Sequence, residues 1–415
     1  MPELTPFAAL RFTDSAGDIS SLLAPPYDVI DDAEAEALRH RSEHNCVRLI
    51  LPEGSPEERY EAAAQTLREW ISDRTLAVDS KPSAYVYRQV FTSDGRELDR
   101  LALFASLRLS PFEDGEVLPH ERTHAGPKKD RLALTLATRT QLSPIFMIAR
   151  DREGELLRLQ RAVVANPPDV RAVTPDGIRH ELWIVAGQRG KELCVAAGSH
   201  PLLIADGHHR YETALAVAEM LGDDVKVAYL LTCVVSQQDP GLIVQPTHRV
   251  LSRRPEAADE EFDWVARLAE TFDMLDLGHV DPLEAQARAA STGGGSFVLL
   301  PGVANHAWLA TPRQATLQTA GVQTERGRIA SVLFDELVLG ALYGLNVDEA
   351  SHAGVLSYAR DPAVAAKRAA TGCAFILPSV SLEDVWDTAE RGGRLPPKST
   401  YFEPKMASGL LFRPL

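Results

Sequence analysis

The residues best suited to chemistry gather at one turn. An apolar run, Leu202–Ala205, ends in Asp206-Gly207-His208-His209-Arg210, and a helix-periodic stretch from Glu212 to Leu221 begins at once. The pattern predicts a strand, a sharp turn and a helix. Gly207 permits a positive φ. The amides after it lie at a helix N-terminus, where anions are favoured. Arg210 adds a planar fork of donors that matches a phosphate, and His208 and His209 add more. Asp206 is a candidate for handling a proton or for holding Mg²⁺, and His209 is a candidate catalytic group. The plainer reading is a helix start followed by polar surface residues.

A second group lies in residues 111–131, whose prolines and glycines predict a long loop. It contains His120-Glu121-Arg122-Thr123-His124, the His-Glu-x-x-His spacing of zinc proteases. That chemistry needs both histidines on one face of a long helix. Pro119 ahead and Gly126-Pro127 behind argue against such a helix. Two alternatives remain. Either Glu121 is a catalytic carboxylate with Lys128, Lys129 and Arg131 nearby as phosphate-facing cations, or this is a solvated loop of mixed charge. Local sequence does not separate them. Pro246-Thr247-His248-Arg249 and Lys398-Ser399-Thr400-Tyr401, with Lys405 beyond, place cations beside small hydroxyls after prolines. Each reads equally well as exposed loop.

The elements that must position these groups follow from pattern. Ala8–Phe12 and Cys46–Leu51 read as strands, and a helix runs from Asp31 or Asp32 to Arg41. Pro56 opens an amphipathic helix to Ile71. Ala84–Phe91 and Leu101–Leu109 form a hairpin around Asp94-Gly95. A helix to about Thr140 precedes the strand Pro144–Ala149, and Trp183–Val185 and Val227–Val235 are further strands. Beyond 256 the pattern gives two helices, a glycine loop at 293–295, strands near Phe297–Leu300 and Ala307–Ala310, and a long helix Gly327–Leu345. The glycine loop lies between helix and strand, the reverse of a phosphate loop. Soft boundaries near 110, 250 and 350 give four regions, 1–110, 111–250, 251–350 and 351–415.

Composition narrows the classes. The 415 residues suit two to four domains at roughly 100–200 residues each. Hydrophobic residues at 45% and charged residues at 24% exclude a disordered or collagen-like chain. With 43 Lys and Arg against 58 Asp and Glu, the net charge of −15 argues against duplex DNA as partner, while leaving room for a local basic pocket. The longest apolar runs, about nine residues, fall short of the ~20 that span a bilayer, so no membrane partner is expected. The first residues, with Glu3, do not read as a signal peptide. Cys46, Cys194, Cys233 and Cys373 lie far apart and read as buried thiols in a reducing cytosol.

Several short motifs occur in a fixed order. They are Pro25–Ile30, Asn45 with Arg48–Leu51, His120–Thr123 with Lys129–Leu132, Ser143–Phe146, Ile204–Ala214, Pro240–Arg249, and Pro396–Lys405 with Ser408-Gly409. In this order the chain resembles, from about residue 4 to 415, the bacterial and archaeal family defined as domain of unknown function 1015. The Asp-Gly-His-His-Arg segment is similar to the phosphate-binding turn of the ParB/sulfiredoxin-like fold and to that of archaeal free-serine kinases, which use a separate Glu as base. The resemblance implies a mixed α/β (α+β) fold, with a ParB/sulfiredoxin-like core around 110–250 and α+β additions at both ends. It implies a phosphotransferase using ATP or ADP with Mg²⁺ on a small hydroxyl-bearing substrate, free L-serine among the candidates. Gly207, His208, His209 and Arg210 would hold the nucleotide phosphates, and Glu121 would be the base. Lys129, Arg249, Lys398 and Lys405 would bind a substrate carboxylate or phosphate. Two alternatives stand beside it: a non-catalytic nucleotide-binding regulator, and a metal-dependent hydrolase built on His120, Glu121, His124 and His208 or His209.

Overall fold

Asp94-Gly95 is the plainest turn signal in the sequence, and the computed structural model of the chain bears it out. Both residues take positive φ, 49° and 72°, as a two-residue hairpin of matching twist requires. The strands it joins, β1 (Ser83–Ser93) and β2 (Arg96–Arg108), pair from Ser93 opposite Arg96 to Tyr85 opposite Phe104. The structure describes all residues except 56–57, 123–124, 223, 253–262, 303–305, 320–325 and 371. The chain divides into two units. Met1–Pro119, Thr123–Ile243 and Pro404–Leu415 form the first, and His120–Arg122 with Val244–Glu403 form the second.

In the first unit the hairpin is the middle of a mixed sheet. Its further strands are β3 (Val117–Leu118), β4 (Ile145–Ala149), β5 (Val170–Val173), β6 (Arg179–Ala186), β7 (Leu202–Asp206) and β8 (Tyr229–Ser236). The order is β3-β7-β4-β8-β2-β1-β6-β5, with Leu4–Thr5 also paired to β2. Strands β4, β7 and β8 are apolar along nearly their whole length because they are buried on both faces. Val86, Leu103, Ile145, Met147, Leu202, Ile204 and Val234 share one core, each contributing about 1.5–3 kcal/mol by leaving water. Two helices flank the strands that matter for function, α1 (Ala125–Thr138) and α2 (His208–Leu221).

The second unit holds an antiparallel sheet of β9 (His248–Leu251), β10 (Phe272–His279), β11 (Phe297–Pro301), β12 (His306–Pro312), β13 (Leu356–Ala359) and β14 (Cys373–Ile376). Their order is β10-β12-β11-β14-β9-β13. Phe297, Leu299 and Phe375 pack with Phe334 and Leu337 in its core.

The mixed α/β class expected from the sequence holds, and four local expectations do not. Cys46–Leu51 is not a strand, since Val47–Ile50 forms one helical turn. Asn45 explains it: its Oδ1 accepts from the Val47 amide at 2.9 Å, while Nδ2 ties to the Ser21 and Leu23 carbonyls. A short apolar run buried all round carries no period that separates strand from helix. Residues 111–131 are not one loop. They include β3, and α1 begins at Ala125 with Gly126-Pro127 in its first turn, where a missing N–H costs nothing. The strand β10 stands where no strand was expected. It is an edge strand in which only Phe272 is fully buried, so its pattern is weak. The expected helix Gly327–Leu345 is interrupted, with Phe334–Leu339 wound as a π-helix that keeps both apolar blocks, Val332–Phe334 and Leu337–Leu339, buried. The amphipathic helix runs Arg59–Ser72, and Pro56 lies outside the described residues. Among the described residues no helix is long and apolar enough to cross a membrane, and all four cysteines are free and buried.

Candidate functional site

The end of β7 is shaped by a register shift. Ile204 pairs with Met147 and Asp206 with Phe146, so Ala205 is an extra residue in the strand. Such a bulge bends the strand and re-aims the next side chain. Gly207 follows at φ +97° and α2 starts directly after it, with no capping side chain from Gly207. The glycine is needed twice. Its φ disfavours any side chain, and a Cβ there would lie 3.0 Å from the Arg210 guanidinium, which packs over the turn. The helix start is anchored from below, where the Tyr211 hydroxyl donates to the Ser110 carbonyl at 2.8 Å.

Asp206 is held between two cations. Arg210 donates to its Oδ2 at 2.5 Å and also to the Pro144 carbonyl. Lys405, from the end of the chain, donates to Oδ1. Each of the three side chains is only 12–13% exposed. Burial alone would raise the Asp206 carboxyl, but the Lys405 ammonium and the Arg210 guanidinium outweigh it and pull it down to about 2. One carboxylate and two cations leave a net positive charge beside first-turn helix amides. That set suits an anion. It does not suit Mg²⁺, because both oxygens of the proposed ligand already face protein cations.

The other expected residues of the first unit sit around this turn. His208 is buried and adds to the positive field on Asp206. His209 is half-buried, and its carbonyl accepts from the Thr213 hydroxyl at 2.7 Å. Lys128 on α1 pairs with Glu212 on α2, and Lys129 is exposed. A cavity of about 60 Å³ opens beside Arg210, lined by Tyr27, Arg131, Leu134, Ser143 and Val217 among others. It has room for a few waters and not for a nucleobase.

Glu121 belongs to the second unit and is organised differently. The Thr400 amide and the Thr400 hydroxyl both donate to its Oε1, at 3.0 and 2.9 Å. His120, fully buried, sets its Nε2 2.8 Å from the same hydroxyl, and the His120 carbonyl accepts from the Leu395 amide at 2.7 Å. Arg249 is buried and donates to the carbonyls of Thr247, Lys398 and Pro397 at 2.6, 2.9 and 3.3 Å. Lys398 turns an exposed side chain outward at φ 59°. Sequence reading named Glu121, Arg249 and Lys398 as separate candidates. Their common dependence on residues 396–400 was not legible, because nothing local ties residue 121 to residue 400.

The zinc spacing has no helix under it at His120-Glu121, and His124 lies outside the described residues. Among the described residues no three His, Cys, Asp or Glu side chains form a group that could hold a metal.

The chain is loosely similar in shape to several solved structures. One is a free serine kinase variant in complex with ADP, at 15% identity and TM-score 0.37, covering 72% of this chain and 87% of that one. Another is a conserved hypothetical protein from Pyrococcus furiosus, at 14% identity and TM-score 0.35, covering 73% and 92%. A third is SbnI with a C-terminal truncation from Staphylococcus aureus, at 12% identity and TM-score 0.36, covering 73% and 86%. No curated protein matches the sequence. The model of one sequence family, described as a protein of unknown function, matches residues 4–336, and by that match the chain belongs to the DUF1015 family.

Proposed function

We propose that the protein is a nucleotide-dependent phosphotransferase whose acceptor is a small hydroxyl-bearing molecule. The observation that carries this reading is the turn at Gly207. A bulged strand end, a glycine at positive φ, the start of a 14-residue helix and a buried net-positive trio of Asp206, Arg210 and Lys405 stand together. Phosphoryl transfer asks a protein mainly for positioning and charge neutralisation, and this turn supplies both.

In this reading the first-turn amides and Arg210 hold the nucleotide phosphates, with His208 and His209 as further donors. Lys405 keeps Asp206 ionised, and Asp206 in turn orients Arg210. Glu121 takes the proton of the acceptor hydroxyl, whose oxygen forms the new bond to phosphorus as the bond to the leaving nucleotide breaks. The role of Glu121 rests on its chemistry, a carboxylate fixed by two donors. Free L-serine is the first acceptor to try, because the segment Asp206–Arg210 resembles the turn of free-serine kinases.

Phosphorus NMR tests the reading. The protein is incubated with Mg²⁺, ATP or ADP, and L-serine or pools of other hydroxy acids. A new phosphomonoester signal, absent with Arg210→Ala, is the expected result. Tight nucleotide binding without transfer to any acceptor would replace the enzyme with a nucleotide-binding regulator.

A further inference from the structure

The segment Leu395–Thr400 of the second unit is held more firmly than an ordinary loop. Lys398 sits at φ 59°, a conformation unfavourable for a non-glycine residue that persists only where the surroundings over-determine it. The buried Arg249 guanidinium gathers the carbonyls of Thr247, Pro397 and Lys398. The Ser399 hydroxyl donates to the Pro396 carbonyl at 2.7 Å and accepts from Ser331 at 2.9 Å. Leu395 pairs with Glu121 as a parallel bridge. Every one of these contacts fixes where residue 400 stands.

Residue 400 then meets Glu121 with two donors aimed at one oxygen. A threonine hydroxyl has a single proton. Because that proton goes to Glu121 Oε1, the contact from His120 must run the other way, with Nε2–H donating to Thr400 Oγ1. The order of donation is therefore His120 to Thr400 to Glu121. We infer that Thr400 is a positioning residue of Glu121, and that the relay from His120 through its hydroxyl helps set the orientation and basicity of the carboxylate. The inference rests on the reading of Glu121 as proton acceptor. It adds the residue that governs it and assigns Arg249 to shaping the loop that delivers that residue.

Two donors on one carboxylate oxygen favour the ionised form, as does the charge of Arg249, and the titratable His120 Nε2 lies 3.7 Å from the same oxygen. Thr400→Val keeps the amide and removes the hydroxyl. It should move the acidic limb of the kcat profile up by about one pH unit, with KM changed little, while Thr400→Ser restores the wild-type limb. Carbon-13 NMR of the Glu121 carboxyl, assigned by its disappearance in Glu121→Gln, should show the same upward movement whether or not a substrate is known. In the wild-type protein, long-range nitrogen NMR should find His120 protonated at Nε2, which needs no variant at all. A Thr400→Val carboxyl that titrates with the wild type, or His120 protonated only at Nδ1, overturns the relay. A wild-type protein that moves no phosphoryl group, with the carboxyl shift still present, overturns the phosphotransferase reading and leaves the relay standing.

Discussion

The two units hold their polar groups by opposite means. At Gly207 the first unit uses charge, with Asp206, Arg210 and Lys405 largely buried together and net positive. At Glu121 the second unit fixes the carboxylate with a hydroxyl and an amide, the hydroxyl backed by the His120 imidazole, and its buried cation, Arg249, donates to backbone carbonyls while adding its charge to the field at Glu121. The difference has a chemical sense. A surplus of positive charge at low dielectric draws an anion. For the proton acceptor proposed at Glu121, direct donation from a cation would depress basicity much as Lys405 and Arg210 depress that of Asp206, whereas the Arg249 donors go to the carbonyls of Thr247, Pro397 and Lys398.

The contrast is broken most strongly by removing the one negative charge of the first site. Asp206→Asn removes the counter-charge that Lys405 and Arg210 share in a buried setting, and breaking such a set typically costs about 3 kcal/mol or more. Urea unfolding should show that loss in the first unit, while hydrogen exchange in β9–β14 stays as in the wild type. Equal loosening of both units would mean that the charge trio does not act locally.

Acidification should separate the two units further. Burial holds His248 in the second unit down at about 4, and His180 in the first unit likewise. A histidine whose folded pKa is depressed binds its proton more readily when unfolded. Its contribution is therefore complete above the ordinary value of ~6.5 and is lost as pH falls toward 4. In the first unit Asp239 opposes this, since burial raises it to about 6 although it accepts from the Leu101 and Gly241 amides. Its protonation between pH 6 and 4 favours the folded state and offsets most of the His180 loss. Asp206 itself contributes down to about pH 4 and loses its effect only as pH falls further toward 2. At pH 5 the second unit should thus be weaker by about 2 kcal/mol and the first by less than half of that. Hydrogen exchange corrected for intrinsic rates reads both, and a first unit that loosens earlier contradicts the assignment.

A smaller effect is expected at the turn. Gly207→Ala forces a side chain into φ +97° and against the Arg210 guanidinium. The cost should be about 1–2 kcal/mol of stability, with nucleotide affinity falling together with it. A thermal shift and an ADP titration on the same variant check the two together.

How much of this was legible follows the same division. The first group is nearly contiguous, so residues 206–210 announce a strand-to-helix turn rich in donors by type and spacing alone. Only Lys405 arrives from afar, and it was legible as a cation without a place. The second site is assembled from residues 120–121, 247–249, 331 and 395–400, and no sequence rule joins them. Glu121 could be picked out as a carboxylate beside histidines, yet Thr400, which holds it, looked like any loop hydroxyl. The elements show a similar pattern. The Asp94-Gly95 hairpin and strands β4, β7 and β8 follow from turn chemistry and long apolar runs. Val47–Ile50 looks like a strand in sequence but is helical, because its conformation depends on Asn45 reaching the Ser21 and Leu23 carbonyls. The bulge at Ala205 was also invisible, since it exists only relative to the register of β4.

In the proposed function the Gly207 turn holds nucleotide phosphates through Arg210. Calorimetric titration of ADP into the wild type and into Arg210→Ala, with adenosine as the phosphate-free control, decides whether it does. Loss of a charge-assisted fork worth about 2–3 kcal/mol predicts ADP binding weakened at least 30-fold in the variant, and no measurable adenosine binding to either protein. Equal ADP affinity in the two proteins, or adenosine binding as tightly as ADP, would contradict the account.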